Sequence, residues 1–358
     1  MKLIKHAVIA LSFTTTTALV ASSAALAQDK GTIGISLPTK TEARWISDGQ
    51  NMVAALKAKG YAANLQYADY DVPTQVSQIE NMITKGVKAL VIAPIDGKTL
   101  SEVLQNASAR GIKIISYDRL ITQTAKVDYY ATFDNAQVGV LQAQSITSAY
   151  DKSGSKTPWN VEVFAGSIDD NNAHKIYGGG MAVLKPYIDS GKMIIRSKQV
   201  AIEKVSVYRW DGATAQSRMD NLLSAFYSNG RVDAIWSPND GVAIGIISSL
   251  KGVGYGSGQQ KMPVITGQDA DIPNIKAVIR GDQTSTVFKD TRELAARTAE
   301  IVADSLSGKP VQVNDTKNYN NGVKIVPTYL VAPVLVNAGN WKDVLITRSR
   351  FYTEAQLK

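Results

Sequence analysis

The residues of this chain that could do chemistry fall just beyond short apolar runs that read as strands. In chain order they are Lys40, Arg44 and Trp45; Asp96; Asp118 and Arg119; Asp134 and Asn135; Asp169, Asp170, Asn171 and Asn172; Trp210; Asn239 and Asp240; Gln268 and Asp269; and Lys289. Carboxylates, amides, cations and indoles aimed at one crevice suit a sugar, whose hydroxyls each give one proton and accept through lone pairs. Carboxylates take the hydroxyl protons, Arg, Lys and Asn donate to the oxygens, and an indole covers a C–H face with little loss of rotamer entropy. Burial in a closed cleft strengthens these bonds and makes any unpaired group costly. Asp and Asn behind strands also cap helices, and that is the plainer role for Asp96, Asp134, Asp169 and Asp240.

Other chemistries are excluded by what the chain lacks. It has no cysteine and two histidines, His6 and His174, so disulfides, thiolate metal sites and cysteine nucleophiles are impossible. A serine triad or a multi-histidine zinc site would rest on His174 alone, which reads instead as a surface or satisfied side chain. Neither a metal nor a cofactor is expected. The glycines between Gly252 and Gly258 follow a helical segment instead of opening one, so they mark a turn and not a dinucleotide fingerprint. The 39 basic and 31 acidic residues are scattered without a basic block, which argues for solubility and against nucleic-acid binding.

Residues 1–27 read as an export signal. Lys2, Lys5 and His6 precede an apolar stretch from Ala7 to Val20, and Ala25-Leu26-Ala27 places small residues where a signal peptidase cuts, before Gln28. Loss of Lys2 and Lys5 lowers the formal charge from +8 to +6. What remains is long enough for two domains.

The elements that must position the polar set alternate in type. Short β-branched runs at 32–37, 64–67, 87–93, 112–117 and from Tyr129, then at 161–164, 193–200, 232–237 and 264–267, are separated by amphipathic stretches of helical length. This is the signature of an α/β chain with doubly wound parallel sheets. Ile46, Met52, Val53 and Leu56 fall near one face of a first helix over 43–59, and Val76, Ile79, Met82 and Ile83 near one face of a second. The helix over 172–188 is the weakest, because Gly178, Gly179 and Gly180 each cost about 1 kcal/mol against Ala. They serve close packing or a kink. Two such series without a Pro- or Ser-rich linker predict lobes joined by crossing strands, with a cleft at the carboxyl ends of the strands.

The strings SQIENMITKGVKALVIAP, SYDRLI, YYATFDNAQVG, DDNNA, VLKPYIDSGK, GQDAD and NDTKNYNNGVKIVPTYL carry a family resemblance. Over essentially its whole mature length the chain resembles the periplasmic monosaccharide-binding proteins of ABC importers, in the branch of the xylose-binding and multiple-sugar receptors. The resemblance implies a type I periplasmic binding protein: two doubly wound parallel-sheet lobes joined by three crossover strands near Phe133, Lys289 and Thr328. It divides the chain into 28–132 with 290–328, and 133–289 with 329–358. It also implies that Arg44 and Trp45 supply a donor and a stacking face, and that Asp118 and Arg119 grip hydroxyls. Asp170 and Asn172 add polar contacts, Trp210 is a second stacking aromatic, and Asn239, Asp269 and Lys289 complete the ring. The implied partners are a monosaccharide such as galactose, glucose, xylose or arabinose, an importer permease, and a chemoreceptor or sensor kinase; a periplasmic monomer without catalysis is expected. Two alternatives stand beside this: a secreted glycosidase using two cleft carboxylates, and a receptor for a non-sugar ligand.

Overall fold

A computed structural model describes residues 30–258 and 260–357 of the chain. The expected export segment and cleavage site lie outside them. The chain runs β1 (Thr32–Leu37), α1 (Ala43–Ala58), β2 (Ala62–Tyr67), α2 (Val72–Thr84), β3 (Ala89–Ile92), α3 (Ser101–Ala109), β4 (Lys113–Tyr117) and β5 (Tyr129–Phe133). It continues through α4 (Asn135–Ser153), β6 (Trp159–Val163), α5 (Asn171–Asp189), β7 (Met193–Ile194), α6 (Ile202–Val205), α7 (Gly212–Phe226), β8 (Ala234–Trp236) and α8 (Asp240–Gly252). Last come β9 (Val264–Ile265), α9 (Ile272–Arg280), β10 (Ser285–Phe288), α10 (Thr291–Ser307), β11 (Thr328–Val331), β12 (Val334–Asn337) and α11 (Glu354–Leu357).

The first sheet has the order β11-β5-β4-β3-β1-β2 and the second β7-β6-β8-β9, all parallel. Each is covered on both faces, as the continuous apolar runs of β3 and β4 require. Trp45, Met52 and Leu56 of α1 pack with Leu294 and Val302 of α10 on one face of the first sheet. Ile79 and Met82 of α2 pack with Val103 and Leu104 of α3 on the other. In the second sheet, Val138, Ile146, Ile176 and Leu184 of α4 and α5 oppose Met219, Leu222, Val242 and Ile246 of α7 and α8. The apolar faces of α1 and α2 follow the sequence except at Ile46, which is 39% exposed.

Three crossings link the sheets. The chain leaves the first after Phe133, returns after Phe288 through α10 to β11, and leaves again after Val331 for β12. The third crossing comes a few residues beyond the boundary expected at Thr328, because β11 pairs with β5 along its full length. An antiparallel pair, β10 with β12, is an addition to the parallel plan; β10 abuts the second sheet where Thr284 N–H donates to the Ile265 carbonyl at 2.9 Å.

The glycine run of α5 has a packing cause. A Cβ on Gly179 would overlap the Ala136 carbonyl, one on Gly180 the Trp236 ring, and one on Gly139 of α4 the Ile176 carbonyl. Small residues on both helices let their backbones touch. Gly178 is different, since a Cβ there meets nothing within 4 Å. The strand expected over 193–200 ends at Ile194, because Ser197 turns to bond buried Glu162 and Lys198 takes a left-handed φ of 57°.

Candidate functional site

Every one of the ten residues to which the resemblance gives a ligand contact lines a single narrow cavity between the two sheets, together with Glu42, Asn135 and Gln268. Arg44 and Trp45 stand in the first turn of α1, and Asp118 and Arg119 follow β4. Asp170 and Asn172 open α5, Trp210 sits in the turn before α7, Asn239 precedes α8, Asp269 follows β9, and Lys289 follows β10.

The cavity wall is a chain of alternating charges. Arg44 Nη2 is 2.8 Å from Asp118 Oδ2 and 3.0 Å from Asp48 Oδ2, and its Nη1 is 3.6 Å from Asp269 Oδ1. Lys289 Nζ lies 2.8 Å from the same Asp269 oxygen, and Arg119 Nε 3.1 Å from Asp170 Oδ2. Asn172 Nδ2 donates to the Asp118 carbonyl at 3.0 Å, while its Oδ1 accepts from Asn135 at 3.0 Å and from the Tyr130 hydroxyl at 3.2 Å. Arg44–Asp269, Arg119–Asp170 and Asn172–Asp118 each join one lobe to the other. Lys175, outside the cavity lining, donates to the Asn318 carbonyl at 3.1 Å, and His174 is exposed with a ring nitrogen 3.0 Å from the Ile168 carbonyl.

Burial and charge set the protonation of these groups in opposite ways. Burial alone would raise the Asp118 carboxyl, but Arg44, Lys289 and Arg119 outweigh it and hold it below the ordinary carboxylate value. Asp118 is therefore an anionic acceptor. At Asp170 burial wins over Arg119 and the carboxyl is raised.

Both indoles are buried and each has a polar edge without a protein partner. Among the described residues, neither Trp45 Nε1 nor Trp210 Nε1 has an acceptor, an arrangement that costs about 1–3 kcal/mol per group unless something else accepts the proton. Trp45 is 1% exposed, with the guanidinium carbons of Arg44 and Arg119 4.4 and 5.2 Å from its ring centroid. Its ring thus supports the two cations by cation–π attraction. Trp210 rests its outer ring edge on Gly166, where any Cβ would collide with it.

Three site residues other than glycine hold left-handed backbone: Asp118 at φ 57°, Trp210 at 56° and Asp269 at 100°. Conformations of this kind cost on the order of 1–3 kcal/mol and persist where surroundings hold them. At Asp118 the surroundings are visible: its carbonyl accepts from Tyr130 at 2.5 Å and Thr132 at 2.7 Å.

Capping is displaced by one residue from the sequence reading at two helices. Asp170 caps α5 through the Asn172 N–H, not Asp169, and Asn239 caps α8 through the Val242 N–H, not Asp240. Asp240 is instead buried and accepts from Asp271 N–H and Gln283. Asp96 closes a turn on Lys98 N–H ahead of α3, while Asp134 does cap α4. Asp170 and Asn239 thus serve their helix and the cavity at once.

Asp48 is the main residue that sequence reasoning missed. It is fully buried behind Arg44, taking both Nε and Nη2 of that guanidinium on one oxygen and the Tyr117 hydroxyl on the other. Burial pushes its carboxyl up to about 6, against the pull of Arg44. A carboxyl raised in the folded state binds its proton more tightly there than in the unfolded chain. Stability from this group is therefore present below pH 4 and is lost as pH rises to about 6. Asp48→Asn, which stays neutral, is expected to gain on the wild type by about 3 kcal/mol between pH 4 and pH 7, read from urea unfolding of the two proteins at each pH. A constant difference would contradict the raised value.

The chain matches the family model described as "Periplasmic binding protein domain" over residues 33–310. It is 59% identical to the multiple sugar-binding periplasmic protein SbpA of Azospirillum brasilense, with 97% of this chain and 99% of that one covered. It is 58% identical to the multiple sugar-binding periplasmic receptor ChvE of Rhizobium radiobacter, covering 93% and 94%. Among solved structures, an ABC transporter solute-binding protein of Clostridium phytofermentans with bound β-D-glucose superposes with a TM-score of 0.87 at 46% identity, covering 91% of this chain and 100% of that one.

Proposed function

Because the chain belongs to the periplasmic binding protein family, we propose that it captures one monosaccharide between its lobes and hands it, unchanged, to an ABC importer. The observation that carries this reading is the composition of the shared cavity: an anionic acceptor at Asp118, cations at Arg44, Arg119 and Lys289, amides at Asn172 and Asn239, and two indole N–H groups that lack protein acceptors. A polyhydroxylated ring supplies donors to the first, acceptors to the others, and C–H faces to the aromatic side chains. The ten residues are its ligand contacts, with Asn135 and Gln268 added. Closure is driven by contacts that exist only when both walls meet the ligand.

The protein acts in the periplasm as a monomer, after removal of residues 1–27, and its closed form also engages a chemoreceptor or sensor kinase. The similar chains are multiple sugar-binding periplasmic proteins, and no turnover is expected.

A thermal-shift panel of D-glucose, D-galactose, D-xylose, L-arabinose and free amino acids tests the reading. A ligand that binds only the folded state stabilises it by about 2.7 kcal/mol at a hundred times its Kd. At least one aldose should raise Tm with concentration while amino acids do not. Shifts confined to amino acids, or steady release of reducing sugar from glycosides, would overturn it.

A further inference from the structure

Outside the cavity, the second lobe reaches across the mouth of the cleft through the side chain of Arg209. Its Nη2 donates to the Tyr70 carbonyl at 2.8 Å, and its guanidinium carbon lies 5.3 Å from the centroid of the Tyr70 ring. Arg209 is exposed and is not among the residues that line the sugar cavity.

Tyr70 is 8% exposed and wired inward. Its hydroxyl donates to Glu42 and accepts from Arg119 Nη2 at 3.3 Å, and Arg119 in turn pairs with Asp170 at 3.1 Å. Glu42, Arg119 and Asp170 all line the cavity. The two loops that meet here share an unusual backbone: Asp69 and Tyr70 on one side, Arg209 and Trp210 on the other, have φ of 50°, 58°, 55° and 56°. Pairs of consecutive left-handed residues other than glycine are costly. The feature they share is that they put the Tyr70 carbonyl and ring against Arg209 and aim Trp210 into the cavity.

Resting on the sugar-binding reading, we propose that Arg209 is a positioning residue for the ligand site. It acts across the cleft mouth by holding Tyr70, and through Tyr70 the Arg119 guanidinium, in the arrangement that the closed lobes require. Because Arg209 lies outside the cavity lining, its contribution is the same for every sugar and appears in the rate of release, not in the rate of encounter.

The test uses the mature protein and its Arg209→Ala and Arg209→Lys variants, with D-glucose and D-xylose as probes in stopped-flow fluorescence. Arg209→Ala should raise the release rate roughly tenfold for both sugars, with the association rate within about twofold of wild type. Arg209→Lys, which keeps a donor and a cation over the Tyr70 ring, should fall between. Unchanged release, or a loss confined to one sugar, would overturn the proposal. Should the wild type bind neither probe, the two panel aldoses that it binds best replace them; should it bind no aldose of the panel, the sugar reading itself fails, and the contact is then judged on the ligand-free protein. Amide exchange at Tyr70 and Asp71 should be severalfold faster in Arg209→Ala, and equal exchange rejects it.

Discussion

Asp118→Asn should weaken monosaccharide binding by one to two decades while leaving the fold intact. The carboxylate is held ionised by Arg44, Lys289 and Arg119 in a buried wall, so its bonds to hydroxyls are charge-assisted and worth about 1.5–3 kcal/mol each. At 1.4 kcal/mol per decade, one lost bond already gives the lower figure. Asn is the informative replacement because it tolerates the left-handed backbone at φ 57° better than Ala would. The loop itself is fixed by main-chain bonds from Tyr130, Thr132 and Asn172 that the substitution leaves alone. Calorimetry with the best aldose of the panel measures the effect, and unaltered affinity would remove Asp118 from the site.

The largest effect on stability is expected at a residue remote from any ligand. In Gly139→Ala the new methyl would meet the main-chain carbonyl of Ile176, and a backbone atom cannot rotate away as a side chain can. α4 and α5 must part, and the second lobe should lose about 2 kcal/mol or more, a fall of at least roughly 4–8 °C in Tm at about two to four degrees per kcal/mol. Gly178→Ala is the matched control in the facing helix. With open space around its Cβ and a better helix former in place of glycine, it should be neutral or up to about 1 kcal/mol more stable. Equal melting temperatures for the two variants would refute the close-packing account.

How much of this was readable beforehand differs by kind of signal. Strands buried on both faces announce themselves as unbroken apolar runs, and β3 and β4 were legible for that reason. Residues 193–200 open with an apolar Met193-Ile194-Ile195, yet they leave the sheet after two residues because Glu162 lies beside them in space and captures Ser197; a partner distant in sequence leaves no local trace. The ten cavity residues could be nominated because they stand behind strands and because the family resemblance selected among them. Asp48 could not be nominated that way, since it sits one turn into α1. Its spacing of four from Arg44 was the available clue, though an i, i+4 pair on a helix is ordinarily a surface feature. The glycines of α5 were visible as an oddity, and only the neighbouring helix explains them.

The last strand of the first sheet, Thr328–Val331, pairs with β5 from across nearly two hundred residues of intervening chain. The edge of Tyr129–Phe133 therefore stays open until Thr328–Val331 has come back to it, whereas the second sheet draws all its strands from Trp159 to Ile265 and is free to form first. Such long-range closure is slow because distant segments must meet before any of the gain is realised.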